Sequence, residues 1–215
     1  MKTNASKVLN AYSSFSMKFM NICKGHDISP FIFNLVYHSG DEYKLTLREP
    51  LYLREWPYKS GSSNDAVDIL VSATERININ SMQVVFSNVV VSYYKLEKAQ
   101  CTLLESFHYD FDVQQPRHPT FHVQSCDGGI SNQDFQRRRG TVNCRIVRHE
   151  NLRIPTAHMS FISVLVCIVA DHLNSSQLGD LIKEIKNNAD LPRVDSKRIP
   201  GIVSSGDFCS YLWYA

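Results

Sequence analysis

The hydrophobic pattern of this chain changes twice along its length, and these changes constrain the fold more than any other feature of the sequence. Between Ala5 and Cys23 the apolar residues recur every three or four positions, which predicts an amphipathic helix. From Pro30 they alternate with polar residues and are rich in β-branched and aromatic types, which predicts strands. After Pro155 the helical spacing returns. Strands in the middle with helices at the ends indicate an α+β fold.

The middle of the chain predicts a mostly antiparallel sheet of about five to seven strands. Strand-like segments follow one another there around short turns, as at Ser39–Asp41 and Glu97–Ala99. Short turns favour antiparallel neighbours, because a parallel pair needs a long crossover. We expect the N-terminal helix and two C-terminal helices, at 160–173 and Ser176–Asn187, to cover one side of the sheet.

A length of 215 residues fits a single domain. We predict one α+β domain over residues 1–215, with mainly sheet in 24–158, helices in 159–188 and an irregular tail in 189–215. The net charge of +2 is too small to make the whole molecule a binder of nucleic acid or membrane by electrostatics. Any such partner must therefore meet a local patch of charge.

The sequence favours a cytoplasmic location. The N-terminal segment MKTNASKVLNAYSS has no apolar run behind its lysines, unlike a secretory signal or a transit peptide. The longest nearly continuous apolar run, Met159–Ala170, is shorter than the ~20 residues that cross a bilayer as a helix. The six cysteines are scattered without a CxxC pair, which argues against a zinc knuckle or a redox motif. We expect reduced thiols and no membrane partner.

Two strand-like segments each place polar residues on one face. In FHYDFDV, residues 107–113, alternation sets the histidine and both aspartates opposite the aromatic residues. In RHPTFHVQ it groups His118, His122 and Gln124. If the two strands pair, a surface of His, Asp and Gln forms on one side of the sheet. The alternative is that this side is simply solvated, as one face of an antiparallel sheet often is.

A second polar group lies where the strands give way to the apolar helix. Arg153 precedes a predicted helix start that carries His158, with Thr156 or Ser160 as the cap. Free amides at a helix start, a guanidinium and an imidazole would together form an anion or phosphate site. The alternative is an ordinary capped helix with an exposed arginine.

Metal binding and phosphodiester cleavage are two chemistries that these residues could support. A metal site would draw on three imidazoles and a carboxylate, those of His118, His122, His158 and Asp110. His118 and His122 are about 13 Å apart on a strand that rises ~3.3 Å per residue, so we expect no metal and no cofactor. Metal-free phosphodiester cleavage needs a general base, a general acid and a cation, which the three histidines and Arg153 could supply.

Basic residues concentrate between Arg117 and Arg153. This segment contains seven arginines and three carboxylates, a charge of +4 that leaves −2 for the rest of the chain. Arg138, in the middle of the run 137–139, is a candidate contact to nucleic acid or nucleotide. The alternative is a solvated basic loop.

Three of these segments resemble an uncharacterised family of small bacterial proteins. The family has a Tyr/Phe/Asp strand, an HPxxHxQ strand and an RxP helix entry, and this chain has FHYDFD, HPTFHVQ at 118–124 and RIP at 153–155. The resemblance covers residues 107–172. It implies no activity, but it points to the same polar residues that the strand pattern singles out.

The sequence thus predicts a His/Arg site, and the leading hypothesis is a metal-independent phosphodiesterase or ribonuclease acting on nucleic acid or nucleotide. The predicted catalytic residues are His118, His122 and His158, and the predicted substrate-binding residues are Gln124, Arg153 and Arg138. The alternative is a non-catalytic interaction module that binds a partner protein, as in a bacterial toxin or phage-defence operon.

Overall fold

The computed structural model describes residues 2–60, 63–97, 100–112, 121–125, 142–144, 153–155 and 160–193. The predicted α+β fold is confirmed: the strands form one mostly antiparallel sheet, with an N-terminal helix and two C-terminal helices. No helix in the described part of the chain is long and apolar enough to cross a membrane.

The helices lie close to their predicted positions: α1 spans Lys2–Ile22, α2 spans Phe161–His172 and α3 spans Ser175–Asn187. The strands are β1 (Asp27–Ile28), β2 (Phe33–Ser39), β3 (Glu42–Leu47), β4 (Leu51–Ser60), β5 (Ser63–Asn78), β6 (Gln83–Glu97), β7 (Gln100–Asp112), β8 (Phe121–Ser125), β9 (Val142–Cys144) and β10 (Arg153–Pro155).

Long central strands organise the sheet. Seven strands follow one another in the order β1-β4-β5-β6-β7-β8-β10. Strand β4 pairs with the first part of β5, and β3 pairs with its last part. Strand β2 pairs with the other edge of β3. Strand β9 runs parallel to β7, while the other strand pairs are antiparallel. Among the described strands, β1, β2, β9 and β10 therefore lie at the edges of the sheet.

The two faces of the sheet differ. On β5 from Val67 to Ile77 and on β6 from Ser87 to Val91, the odd-numbered residues turn toward the helices and are buried. We call this the helix-covered face. The opposite face, which no described helix covers, is here called the open face. It carries a second, smaller apolar cluster formed by Tyr52, Leu70, Tyr94, Cys101 and Leu103.

A buried carboxylate joins two helices to the sheet. Glu75 of β5 is 0 % exposed and accepts three hydrogen bonds. They come from the hydroxyl of Tyr12 on α1 (2.9 Å), the hydroxyl of Ser87 on β6 (3.2 Å) and the backbone N–H of Phe161 at the start of α2 (2.8 Å). Burial raises the pKa of Glu75, because desolvation disfavours the charged form, while the three hydrogen bonds act in the opposite direction.

The start of α2 is capped as one of the two sequence alternatives predicts. Ser160 is the N-cap, and its hydroxyl accepts a hydrogen bond from the backbone N–H of Ser163 at 3.3 Å. The ring of Phe161 lies edge-on to Phe31 and Phe33, with centroids 5.3 and 5.1 Å away. Capping and aromatic packing together fix this helix end above β5 and the β2–β3 hairpin.

The predicted irregular tail is described only in its first part. Residues 189–193 form a turn, in which Arg193 bridges to Gln83 at the start of β6. Residues 194–215 lie outside the described residues.

The raised pKa of Glu75 predicts how stability depends on pH. A group whose pKa is higher in the folded protein contributes stability that is fully present below its unfolded pKa and is lost as pH rises through its folded pKa. The wild type should therefore lose stability relative to Glu75→Gln as pH rises from below 4.5, the ordinary glutamate value, toward neutrality. Urea unfolding of both proteins across this range measures the effect. A constant difference in unfolding free energy between them would contradict it.

Candidate site on the open face of the sheet

Strands β7, β8 and β10 bring several of the polar residues into two neighbouring rows. Strand β8 pairs antiparallel with β7 on one side and with β10 on the other. The first row contains His108, Gln124 and Arg153, and the second contains Asp110, His122 and Pro155. We call these the two polar rows. The register thus sets Gln124 between a histidine and an arginine, and His122 opposite a carboxylate.

Sheet geometry fixes the spacing of these positions. Directly opposed residues in an antiparallel pair have Cα atoms about 4.5–5.5 Å apart. The two rows are separated by two residues along a strand, about 7 Å. The backbone positions of His122, Gln124 and Arg153 therefore lie within about 10 Å of one another. Groups held at this spacing can contact one small ligand.

Both rows belong to the open face. His108 lies opposite Val90 of β6, and Asp110 lies opposite Asn88. These even-numbered β6 residues alternate with the buried Val89, which turns to the helix-covered face. Because opposed residues share a face, the polar positions lie on the side of the sheet away from the helices.

A histidine and an aspartate are in close contact in these rows. Nε2 of His108 lies 3.1 Å from Oδ1 of Asp110, and their side chains are 29 % and 23 % exposed. Nε2 is buried and has no hydrogen-bond partner of acceptable geometry in the described part of the chain. The imidazole of His108 and the carboxylate of Asp110 are therefore in close contact without forming a hydrogen bond. Nε2 of His108 can still take part in one.

Two of the amides at the start of α2 already have hydrogen-bond partners within the protein. The N–H of Phe161 donates to Glu75, and the N–H of Ser163 donates to Ser160. Glu75 lies on the helix-covered face, whereas Arg153 lies on the open face, four strands from β5. The amides of Phe161 and Ser163 are therefore already paired within the protein, and the anion site at Arg153 and His158 remains a prediction.

The predicted site residues differ in how far the structure describes them. For His122, Gln124 and Arg153 it gives the backbone and the register. His118, His158 and Arg138 lie outside the described residues, so their roles remain predictions. Among the side chains that are described, no group of three His, Cys, Asp or Glu could hold a metal ion.

His108 and Asp110 join the candidate site as residues to which the sequence analysis assigned no catalytic role. Alternation in FHYDFDV already placed them on a polar face. Their neighbours depend on the register of β7 with β8, which alternation alone does not determine.

His172, at the end of α2, is a structural histidine. It is buried, and its Nδ1 lies 2.7 Å from the carbonyl oxygen of Pro57. Its ring stacks on Tyr58 and Tyr93, with centroids 6.1 and 5.7 Å away. These contacts hold α2 on β4 and β6.

No family model matches the sequence, and comparisons with curated proteins and with solved structures give no significant match. The resemblance to a bacterial family therefore remains a prediction.

The register of β8 with β10 predicts which cysteine pair forms a disulfide. Gln124→Cys combined with Arg153→Cys should cross-link under mild oxidation, because opposed Cα atoms lie within the ~4.4–6.8 Å that a disulfide spans. Gln124→Cys combined with Pro155→Cys is the matched control, displaced by one row. Peptide mapping under non-reducing conditions distinguishes the new bond from those of native cysteines. Equal cross-linking of the two pairs would contradict the register.

Proposed function

We propose that the two polar rows form the site of a metal-independent phosphodiesterase that acts on a nucleic acid or a nucleotide. The observation that carries the proposal is the strand register, which sets His122 opposite Asp110 and Gln124 between His108 and Arg153. Two imidazoles, a carboxylate, an amide and a guanidinium thus occupy neighbouring positions on one face.

General acid–base chemistry requires one proton acceptor and one proton donor within hydrogen-bond reach of the substrate. In this proposal His122 is the general base. Asp110 lies opposite it, and a nearby carboxylate stabilises the imidazolium that forms when the imidazole accepts a proton. The general acid is a second histidine. His108 lies on the open face, and the sequence offers His118 and His158 as alternatives.

The remaining groups suit an anionic substrate. A guanidinium such as that of Arg153 can donate two parallel hydrogen bonds to phosphate oxygens and stabilise charge that develops on phosphorus. The amide of Gln124 can donate a further hydrogen bond. The +4 charge of the segment 117–153, which includes Arg138, favours approach of a polyanion. No step in this scheme requires a metal ion.

The proposal predicts that the purified protein cleaves a phosphodiester in the presence of a chelator. His122→Ala should lower kcat/KM by about 10²–10⁴-fold, the usual contribution of an acid–base group, with little change in thermal stability. Suitable substrates are single-stranded RNA, single-stranded DNA, cyclic mononucleotides and bis(p-nitrophenyl) phosphate. Parallel variants of His108, His118 and His158 identify the general acid.

Matched controls come from residues at the opposite edge of the sheet, on β2 and directly after β3. His38→Ala removes an exposed imidazole on β2 and should leave activity unchanged. Arg48→Ala removes an exposed guanidinium and serves as the control for Arg153→Ala. Turnover that survives His122→Ala, or no turnover of any phosphodiester in the panel, would refute the proposal. The second outcome would favour the non-catalytic interaction module.

A further inference from the structure

The ends of the sheet are protected to different degrees. Strand β1 has two residues, β9 has three, and β10 has three and ends on Pro155. Short strands and proline are common ways of preventing a sheet edge from pairing with another chain. Strand β2 differs: it has seven residues, FNLVYHS, with neither charge nor proline, and among the described strands it pairs with β3 alone.

The hydrogen-bond register shows which backbone groups of β2 face outward. The N–H of Arg48 donates to the carbonyl of Ile32 at 2.8 Å, so the even-numbered residues of this segment are those bonded to β3. Phe33, Leu35 and Tyr37 therefore turn their N–H and C=O groups away from β3. Among the turn, loop and cap hydrogen bonds of the described residues, none involves these groups.

Apolar side chains accompany this free edge. The described residues include five large apolar side chains that are exposed, and three of them, Ile32 (53 %), Val36 (61 %) and Tyr37 (57 %), belong to β2 or directly precede it. Unused backbone groups beside exposed apolar side chains are the features that a strand uses to accept another strand.

We propose that β2 pairs antiparallel with β2 of a second copy of this chain, around a twofold axis at Leu35. In this register Leu35 opposes its own counterpart, and Phe33 opposes Tyr37 of the second copy. About six backbone hydrogen bonds then form between the outward-facing groups. On the open face, Val36 lies diagonally across from the Val36 of the second copy, within side-chain reach.

A second copy fits this edge because the strand is complementary to itself. A twofold axis makes both sides of the contact identical, so a charge on the strand would meet a like charge across the axis. β2 carries none, and its aromatic residues meet each other. One strand edge buries less area than the ~1,600 Å² of a standard interface, so the dimer is weak and depends on concentration.

Charge substitution at Val36 tests the proposal by sedimentation velocity over a range of protein concentrations. The wild type should shift from monomer to dimer as concentration rises. Val36→Lys and Val36→Glu should each abolish this shift, because like charges meet across the axis, and an equimolar mixture of the two should restore it as a heterodimer. Met17→Lys, at an exposed position on α1, is the control and should dimerise as the wild type does.

Circular dichroism verifies that each variant is folded. This check is needed because Val36 lies opposite Lys44 of β3, so Val36→Lys places two like charges side by side within one copy. A wild type that stays monomeric up to its solubility limit would overturn the proposal. So would a dimer that persists in Val36→Lys, or a mixture of the two charged variants that stays monomeric.

Discussion

The structure depends on one buried carboxylate. Glu75 occupies a position in β5 where the strand pattern otherwise places apolar residues, and it accepts hydrogen bonds from α1, β6 and α2. A buried carboxylate is costly unless its oxygens are hydrogen-bonded. Here the donors include the first amide of α2. A negative charge at this end of a helix also interacts favourably with the helix dipole. The interaction offsets part of the burial cost and holds the start of α2 against the sheet.

Because α1 and α2 are anchored on the same side of β5, the two faces of the sheet differ in what they carry. The helices and the main core occupy one face, where Phe161 and the rings around it fill the space above the hairpin. The open face is left to a small apolar cluster and to polar residues, including the His108–Asp110 contact. The polar rows are thereby separated from the groups that hold the helices on the sheet.

The sequence predicts the elements well and their pairing poorly. Periodicity locates the three helices and most strands, Ser160 is recognisable as a cap, and alternation places His108 and Asp110 on a polar face. Local patterns do not encode contacts between distant segments. Glu75 and Phe161 are 86 residues apart, and the rows across β7, β8 and β10 depend on a register that side-chain alternation does not determine. The position of β2 at an edge of the described sheet likewise follows from the strand order, which the sequence of a single strand does not reveal.

Amide hydrogen exchange in variants of Glu75 tests most directly whether this carboxylate holds α2 on the sheet. Glu75→Leu leaves three donors unpaired, each at a cost of about 1–3 kcal/mol, so the amides in the first turn of α2 should lose protection before those of β5 and β6. Glu75→Gln, which keeps an acceptor oxygen, should preserve most of that protection. If the leucine variant protects α2 as well as the wild type does, the carboxylate does not hold this helix in place.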